Sequence, residues 1–254
     1  MSDPNVASTP PSPAGGMRGV TISREYGSGG GEIASRIAQR LGWSLVDHRL
    51  VAEVAAALNE PEENADARDE RSGGLLAHLV DAVRFLAPWS GAVPGVTAED
   101  EHRRHYQALC EVVRSAADAG NVVIVGRGSQ GILAERRDVL HLRVIAPIER
   151  RVSYVAQREG LSEDEARARI RRKDHDRAVW LQTFEGLQPN DPHLYDLTIN
   201  TGVIPLDVAV ELALDALAGK ASRLVTPESE LGPGAGLGPY PAPPNELWVP
   251  RAGA

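Results

Sequence analysis

Five short apolar runs, each set off from the next by a stretch of helical periodicity, constrain this chain more than any other feature. They are Gly19–Ser23, Ser44–Asp47, Val122–Val125, Val139–Ile145 and Asp196–Asn200. Runs that are apolar throughout, with no alternation, suit strands covered on both faces, as in a parallel sheet. After the first run Ile33, Ile37, Ala38 and Leu41 share one helical face. A long, partly broken helical region follows over 48–119, and Arg150 to Gln157 reads as helix after Pro147. "SEDE" at Ser162–Glu165 is a capping-box start for a helix expected through Arg172, and Pro205 stands near the start of a last helix expected to reach Gly219. Strands alternating with helices imply a three-layer α/β domain with a five-stranded parallel sheet. We expect that domain over 18–221, between a disordered Pro-, Ser-, Gly- and Ala-rich arm at 1–17 and a mostly disordered tail over 222–254. In the tail, Tyr240, Leu247 and Trp248 are the residues with something to bury.

Composition excludes several classes of function. A chain of 254 residues buries a substantial core, and no apolar run approaches the ~20 residues that cross a membrane. The N-terminus lacks a basic start followed by an apolar stretch, so no secretory signal is expected. Cys110 is the only cysteine, which excludes an internal disulfide, fits a reducing cytoplasm and reads as a small buried side chain. The formal net charge of −8 argues against a nucleic-acid partner. Of 27 basic residues only Lys173 and Lys220 are lysines, so phosphate chemistry here must rest mostly on guanidinium groups.

The first strand runs into "SREYGSGGGEIA", a glycine cluster that opens directly into a helix. Backbone N–H groups wrap a phosphate only where the chain reaches positive φ and no side chain blocks the approach, and the helix N-terminus adds partial positive charge. Gly27, Ser28, Gly29, Gly30 and Gly31 are therefore candidate phosphate-binding residues; a tight turn without ligand is the alternative. Against the pattern G-x-x-x-x-G-K-S/T, Gly29 falls on the second glycine, Gly30 on the lysine, Gly31 on the hydroxyl residue and Arg24 on the first glycine. Both the ammonium and the hydroxyl are missing, so Arg24, Arg36 or an arginine from elsewhere must compensate.

Three further segments complete the pattern. A glycine-flanked arginine, Arg127, ends the third strand in "VVIVGRGSQG", and "APIERR" follows the fourth at Ala146–Arg151. "RARIRRKDHDRAVW", Arg167 to Trp180, concentrates positive charge, and "YDLTINT" closes the sheet. In this order the chain resembles the cytidylate kinase-like family of nucleoside monophosphate kinases, in the variant with a lysine-less "SR-E/Q-F/Y-G-S-G-G" loop. "VGRGSQ" and "APIERR" look like that family's G-R-D strand end and P-E-E-R helix, and Asp174 and Arg177 keep the spacing of its lid motif. "DHRL" after the second strand and "DERSGGLL" at Asp69–Leu76 fit it as well. An arginine that often follows the family's double glycine is replaced here by Gly31.

The resemblance implies a P-loop kinase-like fold with a helical acceptor-binding insertion and a lid at about 162–190. It implies ATP and Mg²⁺, small nucleotide substrates, and phosphoryl transfer to a nucleoside monophosphate. Residue by residue, it assigns Arg24, Arg127 and Arg177 to catalysis, and Asp47, Arg127, Asp174 and Arg177 to the acceptor. Arg171, Arg172 and Lys173 become lid charges, with Arg150 and Arg151 as further candidates for neutralising phosphate. Two other readings stay open: a nucleotide sensor without turnover, favoured by the lost lysine, and a kinase for another small acceptor. Arg167, Arg169, Arg171 and Arg172 also read as a solvated face paired with Glu163, Asp164 and Glu165. His102 and His105 with Glu101 lack a further ligand cluster for a metal. Phe85, Trp89 and Trp180 are read as packing residues in preference to base-stacking ones.

Overall fold

A computed structural model describes residues 14–47, 79 and 98–233. Its core is a five-stranded, wholly parallel sheet in the order β2-β3-β1-β4-β5. The strands are β1 (Gly19–Arg24), β2 (Ser44–Val46), β3 (Val122–Val125), β4 (Val139–Ile145) and β5 (Leu197–Asn200), each within a residue or two of the apolar run that announced it. Around them lie α1 (Gly30–Leu41), α2 (Ala98–Ala119), the one-turn α3 (Ser129–Ile132), α4 (Ile148–Glu159), α5 (Glu163–Glu185) and α6 (Leu206–Ala221).

Both faces of the sheet are covered, which is why its strands show no alternation. One face packs Val20, Ile22, Val123, Leu142 and Val144 against Ile33 and Ile37 of α1 and Ala209, Val210 and Leu217 of α6. The other packs Val122, Ile124 and Val139 against Val112, Val113 and Ala116 of α2. The chain leaves β1 towards the β2 edge and later crosses to β4 on the other side. The carboxyl ends of β1 and β3 therefore flank the point where strand order reverses, the crevice in which open α/β sheets bind ligands.

α4 and α5 form a helical arm closed by Val152, Val155, Ala166 and Ile170, with Tyr26 of the glycine loop packed against it. The capping box is present: Ser162 Oγ accepts from Glu165 N at 3.3 Å and Glu165 Oε2 accepts from Ser162 N at 2.9 Å. The helix expected to end at Arg172 instead continues to Glu185 and stops at Gly186, whose φ of 67° gives the left-handed cap. Nothing between Arg172 and Glu185 breaks a helix, so "DHDR" lies mid-helix and not in a loop.

Both flanks are more ordered than expected where they are described. Ala14 and Met17 are buried in the core beside α6, so the packed domain begins before residue 18. After α6, Arg137 Nη2 donates to the carbonyls of Arg223 (2.9 Å) and Thr226 (2.7 Å), tying the following segment down. Cys110 is buried, as expected. No helix among the described residues is long and apolar enough to cross a membrane. Residues 1–13 and 234–254 lie outside the described residues, as do Phe85, Trp89, the rest of "DHRL" after Asp47, and "DERSGGLL".

Ile33 is fully buried on the inner face of α1, in the helix that follows the glycine loop. Ile33→Ala is expected to cost about 2–5 kcal/mol, read as a lowered urea midpoint with unchanged slope. An unchanged midpoint would contradict this packing.

Candidate active site

The glycine loop is built from β1 outwards. Glu25 N donates to Val144 O (3.0 Å) and Ser28 N to Glu25 O (3.3 Å). Ser28 Oγ turns inward, donating to Glu25 O (2.9 Å) and Val144 O (3.0 Å), while Thr201 Oγ1 donates to Ser28 O (2.8 Å). Ser28 is thus a brace beneath the loop, with neither its amide nor its hydroxyl free for a ligand. Gly27 and Gly29 sit at φ 83° and 80°, and a Cβ on Gly27 would stand 2.7 Å from Val155 of α4. Among the described residues the amide N–H groups of Gly27 and Gly29 have no main-chain acceptor, and those of Gly30 and Gly31 open α1, where no intrahelical acceptor exists. Four unused donors at a helix N-terminus fit a polyphosphate.

Beside the loop lies a cleft of about 330 Å³ that gathers Arg24, Arg127, Arg177 and Lys173 on its walls, with Gln130 and Trp180. Arg24 ends β1. Arg127 has φ 64° between Gly126 (φ 73°) and Gly128 (φ 65°), a left-handed conformation that costs a non-glycine residue roughly 1–3 kcal/mol. Arg177 arrives from α5: its Nη1 donates to Arg24 O at 3.1 Å and its guanidinium lies 5.4 Å from the Tyr26 ring centroid. Burial, then repulsion from Arg177 and Arg127, pushes Arg24 down to about 9, with Asp47 the opposing charge. Arg127 and Arg177 are also lowered, chiefly by burial. Asp47, at the end of β2, supports the charge on both Arg24 and Arg127.

Other candidates occupy different places. Asp174 does not line the cleft; its Oδ1 accepts from Tyr26 N (2.7 Å) and its Oδ2 from Arg151 Nη1 (2.5 Å). Arg151 is buried and also donates to Ala146 O (2.9 Å) and Tyr26 O (3.1 Å), so it clips the arm to the loop. Arg150, Arg171 and Arg172 are exposed and do not line the cleft, whereas Lys173 stands at its wall. Arg167 pairs with Glu149 (2.7 Å) and Arg169 with Glu159, so those arginines join α5 to α4 instead of pairing within α5. Arg36 pairs with Glu32 on α1. Tyr26 also donates its hydroxyl to Glu159 (2.6 Å), a positioning role that "SREYGSGG" alone did not reveal. No group of three or more metal-ligating side chains occurs among the described residues.

A model of the cytidylate kinase-like family matches residues 19–203. The chain is 33% identical over 96 residues to a cytidylate kinase of Methanopyrus kandleri, a match covering 35% of this chain and 50% of that one. It is 40% identical over 86 residues to a cytidylate kinase of Pyrococcus horikoshii, covering 34% and 44% of the two chains. The chain thus spans half or less of the length of these relatives. In fold it is similar to an uncharacterized protein from Eubacterium ventriosum, with a TM-score of 0.56 at 20% identity over 79% of this chain and 98% of the other.

One carboxylate near the cleft carried no sequence signal. Glu185, at the end of α5, presses against Gly128 and Gly131, where any added Cβ would collide with its oxygens. Both oxygens are buried without a hydrogen-bond partner among the described residues, and burial pushes the group up to about 7. Phe184 beside it stacks on Tyr106 of α2 at 5.0 Å and meets Trp180 at 5.3 Å, holding the end of α5 against the turn that carries Arg127. Because the folded value exceeds the ordinary 4.5, the folded state holds this proton more tightly than the unfolded one. That contribution is full below about 4.5 and is lost as pH rises through about 7. Glu185→Gln is therefore expected to melt higher than the parent at alkaline pH, with the gap closing on acidification. A gap independent of pH would refute the assignment.

Proposed function

The chain belongs to the cytidylate kinase-like family, and on that premise we propose that it transfers the γ-phosphoryl group of ATP to a nucleoside monophosphate. One observation carries this reading. Arg24, Arg127 and Arg177 converge on a single cleft beside four loop amides, and among the described residues Asp47 is the carboxylate that supports the charge of Arg24 and Arg127. Such a concentration of desolvated positive charge asks for an anion, and a phosphate ester next to a polyphosphate supplies it.

The donor phosphates would lie on the amides of Gly27, Gly29, Gly30 and Gly31, with the α1 N-terminus beneath them. Asp47 is a carboxylate candidate for holding Mg²⁺, which would supply charge neutralisation at the donor phosphates. Arg127 and Arg177 hold the acceptor phosphate. One of its oxygens attacks the γ-phosphorus, the new O–P bond forms as the β–γ bridge breaks, and the departing diphosphate keeps the bridging oxygen. No nucleophilic side chain is needed. Catalysis is then positioning and charge stabilisation, with the α4–α5 arm excluding water above the reacting groups. Asp174 would serve this scheme indirectly, by fixing the arm to Tyr26.

A binding protein without turnover is the second reading, and the absence of side chains at Gly30 and Gly31 is what favours it. A phosphotransfer screen decides between them: protein, Mg²⁺ and γ-labelled ATP against CMP, dCMP, UMP, AMP and GMP, with ATP binding measured in parallel. Labelled diphosphate is expected. Arg127→Ala and Arg177→Ala should each raise the acceptor KM roughly 10–100-fold, the loss of one charge-assisted contact, with melting temperatures near the parent's. ATP binding without any labelled product would sink the transferase reading, and unchanged acceptor KM values would sink the assignment of these arginines.

A further inference from the structure

Two departures from the phosphate-binding pattern, glycine to Arg24 and lysine to Gly30, meet in space. A Cβ placed on Gly30 would stand 2.7 Å from Arg24 Cβ and 3.2 Å from Arg24 Cγ, with Val144 Cβ at 3.4 Å. Real Cβ atoms do not approach that closely, and the obstruction is the root of the arginine stem rather than its flexible end. While Arg24 is present, no side chain fits at position 30. Without it, the space beside position 30 would be vacant.

The far end of the same side chain explains a second glycine. A Cβ on Gly126 would collide with Arg24 Nη1, so the tip of the guanidinium abuts the turn that carries Arg127. Gly31 is different: a Cβ there would meet nothing within 4 Å, so its lack of a side chain is not forced by crowding. Arg24 therefore runs from beneath the glycine loop to the wall of the cleft, closed in by Gly30 at its root and Gly126 at its tip. Among the described residues its guanidinium makes no hydrogen bond and no ion pair, although it lines the cleft. A half-buried guanidinium whose N–H groups find no acceptor among the described residues is a site prepared for an anion.

We infer that Arg24 is the cation that replaces the missing lysine of this loop: its side chain enters from the position of the lost first glycine and presents its charge between the loop and the Arg127 turn, where the transferred phosphoryl group must pass. The inference rests on the phosphotransferase reading above and names the residue that makes it workable. It also separates the arginines by task. Arg127 and Arg177 approach from the turn and the arm and hold the acceptor, whereas Arg24 belongs to the loop that holds the donor.

The test is a reciprocal exchange. Arg24→Gly, Gly30→Lys and the double variant are compared with the parent for kcat and KM, for ATP binding by calorimetry and for thermal melting. Arg24→Gly should lower kcat by roughly 10²–10³-fold, the usual loss for one charge-stabilising donor in a transition state, with a smaller change in acceptor KM. Gly30→Lys alone should melt lower and lose activity because its stem meets Arg24. The double variant should recover at least about tenfold in kcat over Arg24→Gly, since the restored lysine can supply a comparable charge. A folded double variant no more active than Arg24→Gly, or an Arg24→Gly variant with the parent's kcat, overturns the inference. If the parent transfers phosphate to no acceptor, the phosphotransferase reading falls separately, and calorimetry alone judges Arg24. ATP affinity lost in Arg24→Gly and regained in the double variant would uphold it; affinity unchanged in Arg24→Gly, or no ATP binding by the parent, would refute it.

Discussion

Holding like charges together is the constraint around which the cleft is arranged. Arg24, Arg127 and Arg177 are all depressed below the ordinary guanidinium range, and for Arg24 the neighbouring arginines are named causes after burial. In a partly desolvated cleft such like charges repel more strongly than they would in water. The scaffold holds them regardless because each is fixed by a different element: a central strand, a turn with three successive left-handed residues, and the middle of a long helix. An anion of the right shape relieves the repulsion on binding, so part of the binding free energy is already stored in the empty protein.

Tyr26 is what connects the arm to the loop. Its N–H donates to Asp174, its carbonyl accepts from Arg151, its hydroxyl donates to Glu159 and its ring lies beneath Arg177. One loop residue thus touches the arm through backbone and side chain together. Movement of α5 cannot displace Arg177 without straining contacts two residues away from Ser28, which the sheet braces from below. The glycine loop and Arg177 are parts of one connected unit. Asp174 belongs to that unit more than to the acceptor, although its spacing to Arg177 suggested otherwise.

The strands were legible because burial on both faces leaves a local mark, an unbroken apolar run, that needs no knowledge of the partner strand. The capping box was legible for the same reason, since Ser162 and Glu165 act on each other within one turn. The extent of α5 was not. Only Ala166, Ile170 and Leu181 are buried along it, too few for a periodic signal, and its end is set by Gly186 rather than by any change in composition. In the site, the candidate arginines at Arg24, Arg127 and Arg177 do share one cleft, but Ser28 faces the sheet and Arg171 and Arg172 face away. Those differences depend on which side of an element a residue falls, and glycine-rich or uniformly charged segments carry no pattern from which to read it. Glu185 had no signal at all: its neighbours Gly128 and Gly131 are more than fifty positions away, and only the fold brings them together.

The same through-space reasoning bears on why this loop would use arginine at all. Burial and crowding push Arg24 down from the ordinary guanidinium range to about 9, where it still carries its charge near neutral pH. An ammonium begins lower, near 10.4, so the same burial leaves it a smaller margin than a guanidinium has. Within a cleft that already holds Arg127 and Arg177, a guanidinium keeps its charge with the wider margin and offers several N–H donors in one plane. Among the 27 basic residues of this chain, Lys173 stands at the exposed wall of the cleft and Lys220 is paired with Asp196 at the opposite edge of the sheet. Apart from Lys173, the basic residues that line the cleft are arginines. A missing lysine is therefore weak evidence against phosphoryl transfer in a site built this way. What such chemistry needs is positive charge at the right place, and here the crowding that displaces a side chain from Gly30 also favours the one that took its place.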